Sequence, residues 1–177
     1  MYRELEIGFP KLPDSLLSKI EFNFQEKPFQ ITPYLSTLGE VSNREEPDGS
    51  SSLMVHQVNG KWKKDLLYDD LSLALKTKKG LVLICGCCHS GILNTCAQAR
   101  SLFPEEKIHG IIGGTHMLMF SKKKIKYVAD VLEEKYGLPK LYLNHCTGKK
   151  ATKYFKKRFG AEIFHDFLAG SVLEFEC

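Results

Sequence analysis

Three histidines have the same setting in the sequence, because each closely follows a short apolar segment. They are His89 in "GCCHSG", His116 in "GGTH" and His145 in "NHCTG". A glycine near each one allows the backbone to turn sharply and to approach a ligand closely. Neutral imidazole nitrogens are preferred ligands of zinc and of other divalent transition metals such as iron or manganese. We therefore predict a divalent metal site on these three histidines.

The cysteines beside the histidines are also candidate functional residues. Cys87, Cys88 and Cys146 could be metal ligands or redox thiols, with Cys88 or Cys146 as an additional ligand. Cys85 and Cys88 have C-x-x-C spacing, so a thiol redox function also stays open. The six cysteines do not form the pattern of a secreted disulfide framework. We expect reduced thiols and a cytoplasmic location.

Two residues are candidates for a catalytic role beside a metal. A histidine at a strand end can be a ligand or a general acid or base, and both roles stay open for His116. Asp70 in the segment "YDD" could contribute a carboxylate, as could Asp69. The alternative for both carboxylates is that they are exposed turn residues.

A second binding element is predicted next to His145. Thr147, Gly148 and Lys149 lie where a basic helix is expected to begin. Free backbone N–H groups and the helix dipole favour a phosphate at such a position. This predicts binding of a phosphorylated small molecule, while simple capping of the helix by Thr147 is the alternative.

Length, charge and composition argue against several classes of protein. The chain has 177 residues, which fits one domain over 1–177, and its net charge is +4. No apolar run is long enough for a membrane helix, and the first residues lack the apolar core of a signal peptide. The lysine-rich segments carry no interleaved aromatic residues, so we expect neither a nucleic-acid partner nor a membrane partner.

Regular elements are expected after residue 80. Three apolar strands alternate with three helices, the first two of which Ser90 and Ser121 could cap. Consecutive β-α units of this kind predict an α/β fold with a parallel sheet, whose strands deliver the three histidines to one edge. The strands are expected at 80–85, 107–112 and 140–144, and the third helix at 149–159.

Residues 1–80 are expected to be an irregular lead-in with some β structure, because several prolines interrupt this part of the chain. The pattern predicts a short helix over 14–20 capped by Asp14, a polar loop over 44–52, and a hairpin that turns at Asn59-Gly60. Short strands are predicted over 21–25 and 29–32, and again near the end of the chain over 162–165 and 171–176.

Three motifs together resemble the metallo-β-lactamase-fold superfamily, in particular the subgroup named for ribofuranosylaminobenzene 5'-phosphate synthase. They are Gly-Cys-Cys-His-Ser-Gly-Ile at 86–92, Gly-Gly-Thr-His at 113–116 and His-Cys-Thr-Gly at 145–148. The resemblance implies the C-terminal half of an αββα sandwich, with consecutive β-α units after residue 80. It also implies that His89 and His145 are metal ligands. His116 occupies a position where many relatives have a bridging aspartate.

The H-x-H-x-D-H motif of this superfamily does not occur in these 177 residues. The resemblance implies a metal-dependent hydrolase or phosphoribosyl-type transferase in the complete family form, and a chain that is incomplete or inactive alone. A reduced site with one metal on His89, His116 and His145 is one alternative. The other is a non-catalytic half-domain that binds a complementary chain or forms a homo-oligomer.

Overall fold

A computed structural model describes residues 10–50 and 53–177. The first nine residues, where no signal peptide was expected, and part of the predicted 44–52 loop lie outside the described residues. Within these ranges the helices are α1 (Asp14–Leu17), α2 (Ile92–Leu102), α3 (Lys122–Glu134) and α4 (Lys149–Phe159). The strands are β1 (Leu35–Thr37), β2 (Val55–Val58), β3 (Lys61–Lys64), β4 (Ser72–Thr77), β5 (Gly80–Cys85), β6 (Ile108–Gly113), β7 (Lys140–Leu143) and β8 (Phe164–Asp166).

Six of the described strands form one mixed sheet in the order β1-β4-β5-β6-β7-β8. Strands β1, β4 and β5 pair antiparallel, whereas β5 to β8 pair parallel. The helices α2, α3 and α4 connect the parallel strands, which confirms the predicted β-α units after residue 80. Strands β2 and β3 form a separate hairpin, as predicted, with positive φ at Asn59 and Gly60.

The main apolar core lies between this sheet and its helices. The amphipathic helix α3 buries Ile125, Val128, Ala129 and Leu132, all of which are part of one core cluster. Alternate residues of β5, namely Leu81, Leu83 and Cys85, belong to the same cluster. Phe155 of α4 is completely buried in it. The core therefore fixes the helices, and with them the loops that precede them.

The opposite face of the sheet is also largely apolar. Strand pairing places Leu73, Ile84, Ile112, Tyr142 and His165 in one row across it. The C-terminal segment starts at β8 and reaches the turn between β4 and β5, where Lys78 donates a backbone hydrogen bond to the Glu176 carbonyl.

Several predictions for the ends of the chain were wrong. Helix α1 spans four residues and begins after Pro13, so Asp14 is its first residue and not its cap. Residues 21–25 form no strand, and of the segment 29–32 only Gln30 pairs, in a single bridge to Ser36. Residues 171–176 form no strand either. An alternating pattern makes a strand only where it pairs continuously with a neighbouring strand, and within the described residues these segments make no such continuous pairing.

Of the two helix caps predicted at serines, the structure confirms one and contradicts the other. The Ser121 side chain accepts a hydrogen bond from the Lys124 N–H at 3.3 Å, which confirms the predicted cap of α3. Ser90 was expected to cap α2, but Gly91 precedes that helix and provides no side-chain cap. The Ser90 side chain is used instead in a contact with Asp70.

None of the helices in the described part of the chain is both long and apolar enough to cross a membrane.

Candidate metal centre

The predicted histidine loops leave the sheet at one edge. Strands β5, β6 and β7 pair in register at their ends, where Cys85 lies opposite Gly113 and Gly113 lies opposite Leu143. The loops that follow therefore emerge side by side from the carboxyl ends of parallel strands, which is where ligands bind in open α/β sheets. These loops contain His89, His116 and His145.

The backbone of these loops has uncommon conformations. His116 has a φ of +42°, His145 of +50° and Cys88 of +57°, all in the left-handed region. Residues with a Cβ seldom adopt such angles, and the strain is retained where surrounding structure imposes it, often at functional sites. The strained positions here include two of the three predicted ligands.

Close approach of the loops depends on glycines. A Cβ at Gly114 would lie 2.6 Å from the Gly86 carbonyl oxygen and 2.7 Å from the Cys146 Sγ. A Cβ at Gly49 would lie 2.7 Å from the Cβ of His116. Neither position has room for a side chain, so both glycines determine how the histidine loops pack.

His89 and His116 form a pair. Their ring centroids are 4.0 Å apart with an interplanar angle of 43°, and both residues are half-buried. The Nδ1 atom of each ring is buried and has no hydrogen-bond partner within the described residues. Buried polar atoms without partners cost free energy unless a ligand or water satisfies them. The two rings also bring ligand nitrogens within 4.8 Å of each other, which fits a site for a metal ion.

The side chains with metal-binding atoms form two groups in the described part of the chain. In each group the ligand atoms all lie within 4.8 Å of one another. The first group is Cys87, His89 and His116, and the second is Cys87, His145 and Cys146. The structure thus places His145 in a different group from the other two histidines, and Cys87 is common to both.

The cysteines of the second group differ in their contacts. The Cys87 Sγ lies 3.0 Å from the His145 Nε2. The Cys146 Sγ accepts a hydrogen bond from the His116 N–H at 3.3 Å and donates one to the Cys87 carbonyl at 3.2 Å. Burial raises the pKa of Cys146 to about 11. The Cys146 sulfur thus links the backbones of the three loops.

His116 is held in its neutral form. Burial lowers its pKa below 6.5, and the positive charges that His89 and His145 can carry lower it further. Asp70 acts in the opposite direction and is a weaker influence than burial. A neutral imidazole is the form that binds a metal, so the electrostatics of the site agree with the predicted ligand role of His116.

Asp70 is half-buried beside the histidine pair, whereas Asp69 is exposed. One carboxylate oxygen of Asp70 accepts hydrogen bonds from the backbone N–H and the hydroxyl of Ser90, at 3.0 and 3.1 Å. The structure therefore uses Asp70 to hold the loop that carries His89. Its pairing with Ser90 was not visible in the sequence.

The predicted phosphate element occupies the start of α4. Gly148, with a φ of +81°, precedes the helix, and Lys149 is its exposed first residue. The Thr147 hydroxyl is buried and accepts a hydrogen bond from the Thr115 hydroxyl at 3.0 Å. Thr147 therefore does not cap α4, and Lys149 is the exposed side chain at this position.

The thiol redox alternative finds no support in the structure. Cys88 is completely buried, with its Sγ 3.3 Å from the Thr95 hydroxyl. A hydrogen bond with Cys85, followed by burial, raises its pKa well above the usual value. Reactive cysteines have a lowered pKa and some exposure. All six cysteines of the chain are free.

One functional segment was missed in the sequence. The loop around Gly49 packs on the site, where the Gly49 N–H donates a hydrogen bond to the His89 carbonyl at 2.9 Å. The sequence indicated only a polar loop here. The single signal was a glycine within "PDGS", which is typical of any turn.

Comparisons with known proteins agree with the motifs. No family model matches the chain. A 7,8-dihydropterin-6-methyl-4-(β-D-ribofuranosyl)-aminobenzene-5'-phosphate synthase of Methanocaldococcus jannaschii is 30% identical over 151 residues, which are 84% of this chain and 51% of the relative. An uncharacterised protein of the same organism is 29% identical over 143 residues, which are 80% of this chain and 51% of the relative.

A solved structure has the same fold. It is a metal-dependent hydrolase of the β-lactamase superfamily, with a TM-score of 0.78 and 29% identity, and the match covers 89% of this chain and 59% of the neighbour. The chain thus spans about half the length of the curated relatives that it matches.

Proposed function

We infer that this chain, a relative of the metallo-β-lactamase superfamily by sequence and by fold, contributes a divalent metal site to a metal-dependent hydrolase or phosphoribosyl-type transferase. The observation that carries this proposal is the pair of buried, unpartnered Nδ1 atoms of His89 and His116 at the carboxyl end of the parallel strands. A structural histidine normally uses such an atom in a hydrogen bond. A metal ion would satisfy both atoms at once.

We propose His89, His116 and His145 as ligands. Zinc, iron and manganese all accept imidazole nitrogen, so the histidines alone do not select among them. When bound, such a metal supplies a Lewis acid that lowers the pKa of water and polarises an electrophile. The protein contributes the fixed backbone of the loops and the neutral form of His116.

Asp70 is proposed to act on His89 through Ser90, because its carboxylate holds the backbone of that loop. This makes Asp70 a positioning residue. The N–H groups at the start of α4, together with Gly148 and Lys149, are proposed to bind the phosphate of a small-molecule substrate. The start of α4 lies only a few residues after His145, which brings such a phosphate close to the metal.

We propose that this chain supplies only part of the catalytic centre. The superfamily's H-x-H-x-D-H motif does not occur in the 177 residues, and the matches cover about half of the curated relatives. Further ligands would then come from a segment or a chain outside these residues. We accordingly expect metal binding from this chain alone, but no substantial turnover. The free cysteines agree with a proposed cytoplasmic location.

Metal content per chain tests this proposal. The purified full chain is expected to retain or take up about one zinc, iron or manganese ion, and the variants His89→Ala and His116→Ala are expected to lose it. His56→Ala is the matched control, since His56 lies in the separate β2–β3 hairpin. A folded wild-type chain that binds no divalent metal, or variants that bind as well as wild type, would contradict the proposal.

The second candidate function is a half-domain that binds a partner or a second copy. Large apolar side chains that follow His116 directly favour it, because Leu118 is 57% exposed and Met119 is 84% exposed. Exposed apolar groups of this size often mark an interface. Sedimentation of the full chain distinguishes the two ideas, since a metal-free, stable oligomer would favour the half-domain.

A further inference from the structure

Cys87 lies at the point where the two groups of metal-binding side chains meet. Its Sγ is within 4.8 Å of the ligand atoms of His89 and His116, and equally of those of His145 and Cys146. No other residue in the described part of the chain belongs to both groups. A single metal ion or a pair of ions at this edge of the sheet would therefore lie next to the Cys87 sulfur.

The contacts of Cys87 leave its sulfur available. The sulfur contacts the His145 Nε2 at 3.0 Å and also interacts with the side chain of Cys146, and His145 is itself a proposed ligand. Cys146, in contrast, uses its sulfur both to accept from the His116 N–H and to donate to the Cys87 carbonyl. Of the two thiols in the second group, only Cys87 can turn to a metal without breaking backbone contacts.

We propose that the Cys87 thiolate is a metal ligand that joins the His89–His116 pair to His145 in one centre. This inference rests on the metal site proposed above and adds a sulfur donor to its histidines. On binding, the Cys87 S–H bond breaks, its proton passes to solvent, and a metal–sulfur bond forms. No electron transfer is involved.

A sulfur ligand affects which metal ion the site prefers. Soft thiolate ligands favour zinc, whereas manganese and magnesium prefer oxygen ligands. A set of one thiolate and imidazole nitrogens matches the ligands of tetrahedral zinc sites. The proposal therefore selects zinc over manganese for this centre, a choice that the three histidines alone do not make.

Cobalt(II) titration of the full chain tests the ligand directly. Bound cobalt gives visible bands from any nitrogen or sulfur site, and a thiolate ligand adds a charge-transfer band in the near ultraviolet. The wild-type chain and the Cys177→Ser control are expected to show both signals. Cys87→Ser should lose the charge-transfer band and bind zinc about 10-fold or more weakly, the range known for perturbed metal sites. Cys146→Ser should keep the band, because serine can replace its hydrogen bonds.

The results of the cobalt titration distinguish a failure of the Cys87 proposal from a failure of the proposed metal site. Visible bands without a charge-transfer band in wild type would leave the metal site in place and overturn the role of Cys87. A charge-transfer band that survives Cys87→Ser would also overturn it. Failure to bind any cobalt would contradict both.

A second measurement uses the wild-type chain and does not depend on the folding of a variant. Zinc is expected to protect Cys87 from alkylation by iodoacetamide, as read by mass spectrometry of the peptides. Cys177 is exposed at the chain end and is the internal control, which should be alkylated with or without zinc. Equal labelling of Cys87 in both states, with zinc bound, would overturn the proposal.

Discussion

At the scale of single residues, two kinds of feature define the site. Two histidine nitrogens lack a hydrogen-bond partner within the described residues, and two glycines leave room for a neighbouring loop. The unpartnered Nδ1 atoms of His89 and His116 mark where a metal would bind. Gly114 and Gly49 allow the loops to approach each other. Single substitutions of His116 and of Gly114 test these two kinds of feature.

The first prediction concerns pH. His116 has a lowered pKa in the folded chain, so between that value and about 6.5 the unfolded chain binds a proton that the folded chain does not. Stability of the metal-free protein should therefore fall as the pH drops below about 6.5. His116→Gln should reduce this dependence. Thermal unfolding in a chelating buffer from pH 5 to 8 measures it, and identical pH profiles for the two proteins would contradict the prediction.

The second prediction concerns Gly114. Gly114→Ala should displace Cys146 or the Gly86 carbonyl, because the new Cβ would lie within 2.7 Å of both. We expect metal affinity to fall by about 10-fold or more, as for other disturbed metal sites. Gly86→Ala is a matched control in the same loops, since its Cβ would meet nothing within 4 Å. Calorimetric titration with zinc measures both, and equal affinities would show that the close approach is unimportant.

At the scale of elements, the site is held by contacts between loops that belong to different strands. The turn before β4 provides Asp70, and the loop after β5 provides Ser90, His89 and Cys87. The loop around Gly49 packs against both histidines of the pair. The edge formed by β5, β6 and β7 brings these loops together, and the contacts between the loops fix their conformations.

The third prediction tests one such contact. Asp70→Ala removes the acceptor of two hydrogen bonds from Ser90, whose N–H and hydroxyl are largely buried. The expected loss is about 1–3 kcal/mol in the free energy of unfolding. Asp69→Ala, at an exposed neighbour, should have little effect. Urea denaturation measures both variants, and an unchanged midpoint for Asp70→Ala would show that this contact does not hold the loop.

How much the sequence predicts depends on whether a feature is local. The three β-α units after residue 80 and the cap at Ser121 follow from local patterns and were confirmed, whereas the caps expected at Asp14 and Ser90 were wrong. The short strands over 21–25 and 171–176 were wrong because pairing depends on distant neighbours. The Asp70–Ser90 contact and the shared position of Cys87 depend on strand order and register, which no spacing in the sequence encodes. The convergence of the three histidine loops was predictable because parallel strands end at a common edge.

At the scale of the whole molecule, the sheet has two different faces. The helices cover one face, and the row of half-buried residues from Leu73 to His165 lies on the other. Val82 points away from the helix-side core and is nevertheless completely buried. The C-terminal segment contacts the sheet at the turn between β4 and β5, where the Lys78 N–H donates a hydrogen bond to the Glu176 carbonyl at 2.8 Å.

The fourth prediction concerns this segment. Deletion of residues 172–177 removes the acceptor of the Lys78 N–H hydrogen bond and should lower the free energy of unfolding by about 0.5–1.5 kcal/mol, the net value of one such bond. Glu176→Ala removes only an exposed ion pair with Lys78 and should have no measurable effect. Thermal unfolding together with binding of a hydrophobic dye measures both. A deletion as stable as wild type would show that this contact does not stabilise the sheet.

The central claim is that a metal binds where the three histidine loops meet. The most direct measurement is anomalous diffraction at the zinc edge from crystals of the full chain grown with zinc. We expect one or two strong peaks between the rings of His89 and His116 and the Cys87 sulfur, with His145 at the same centre. A well-ordered crystal with zinc only at other positions, or with none, would contradict the claim.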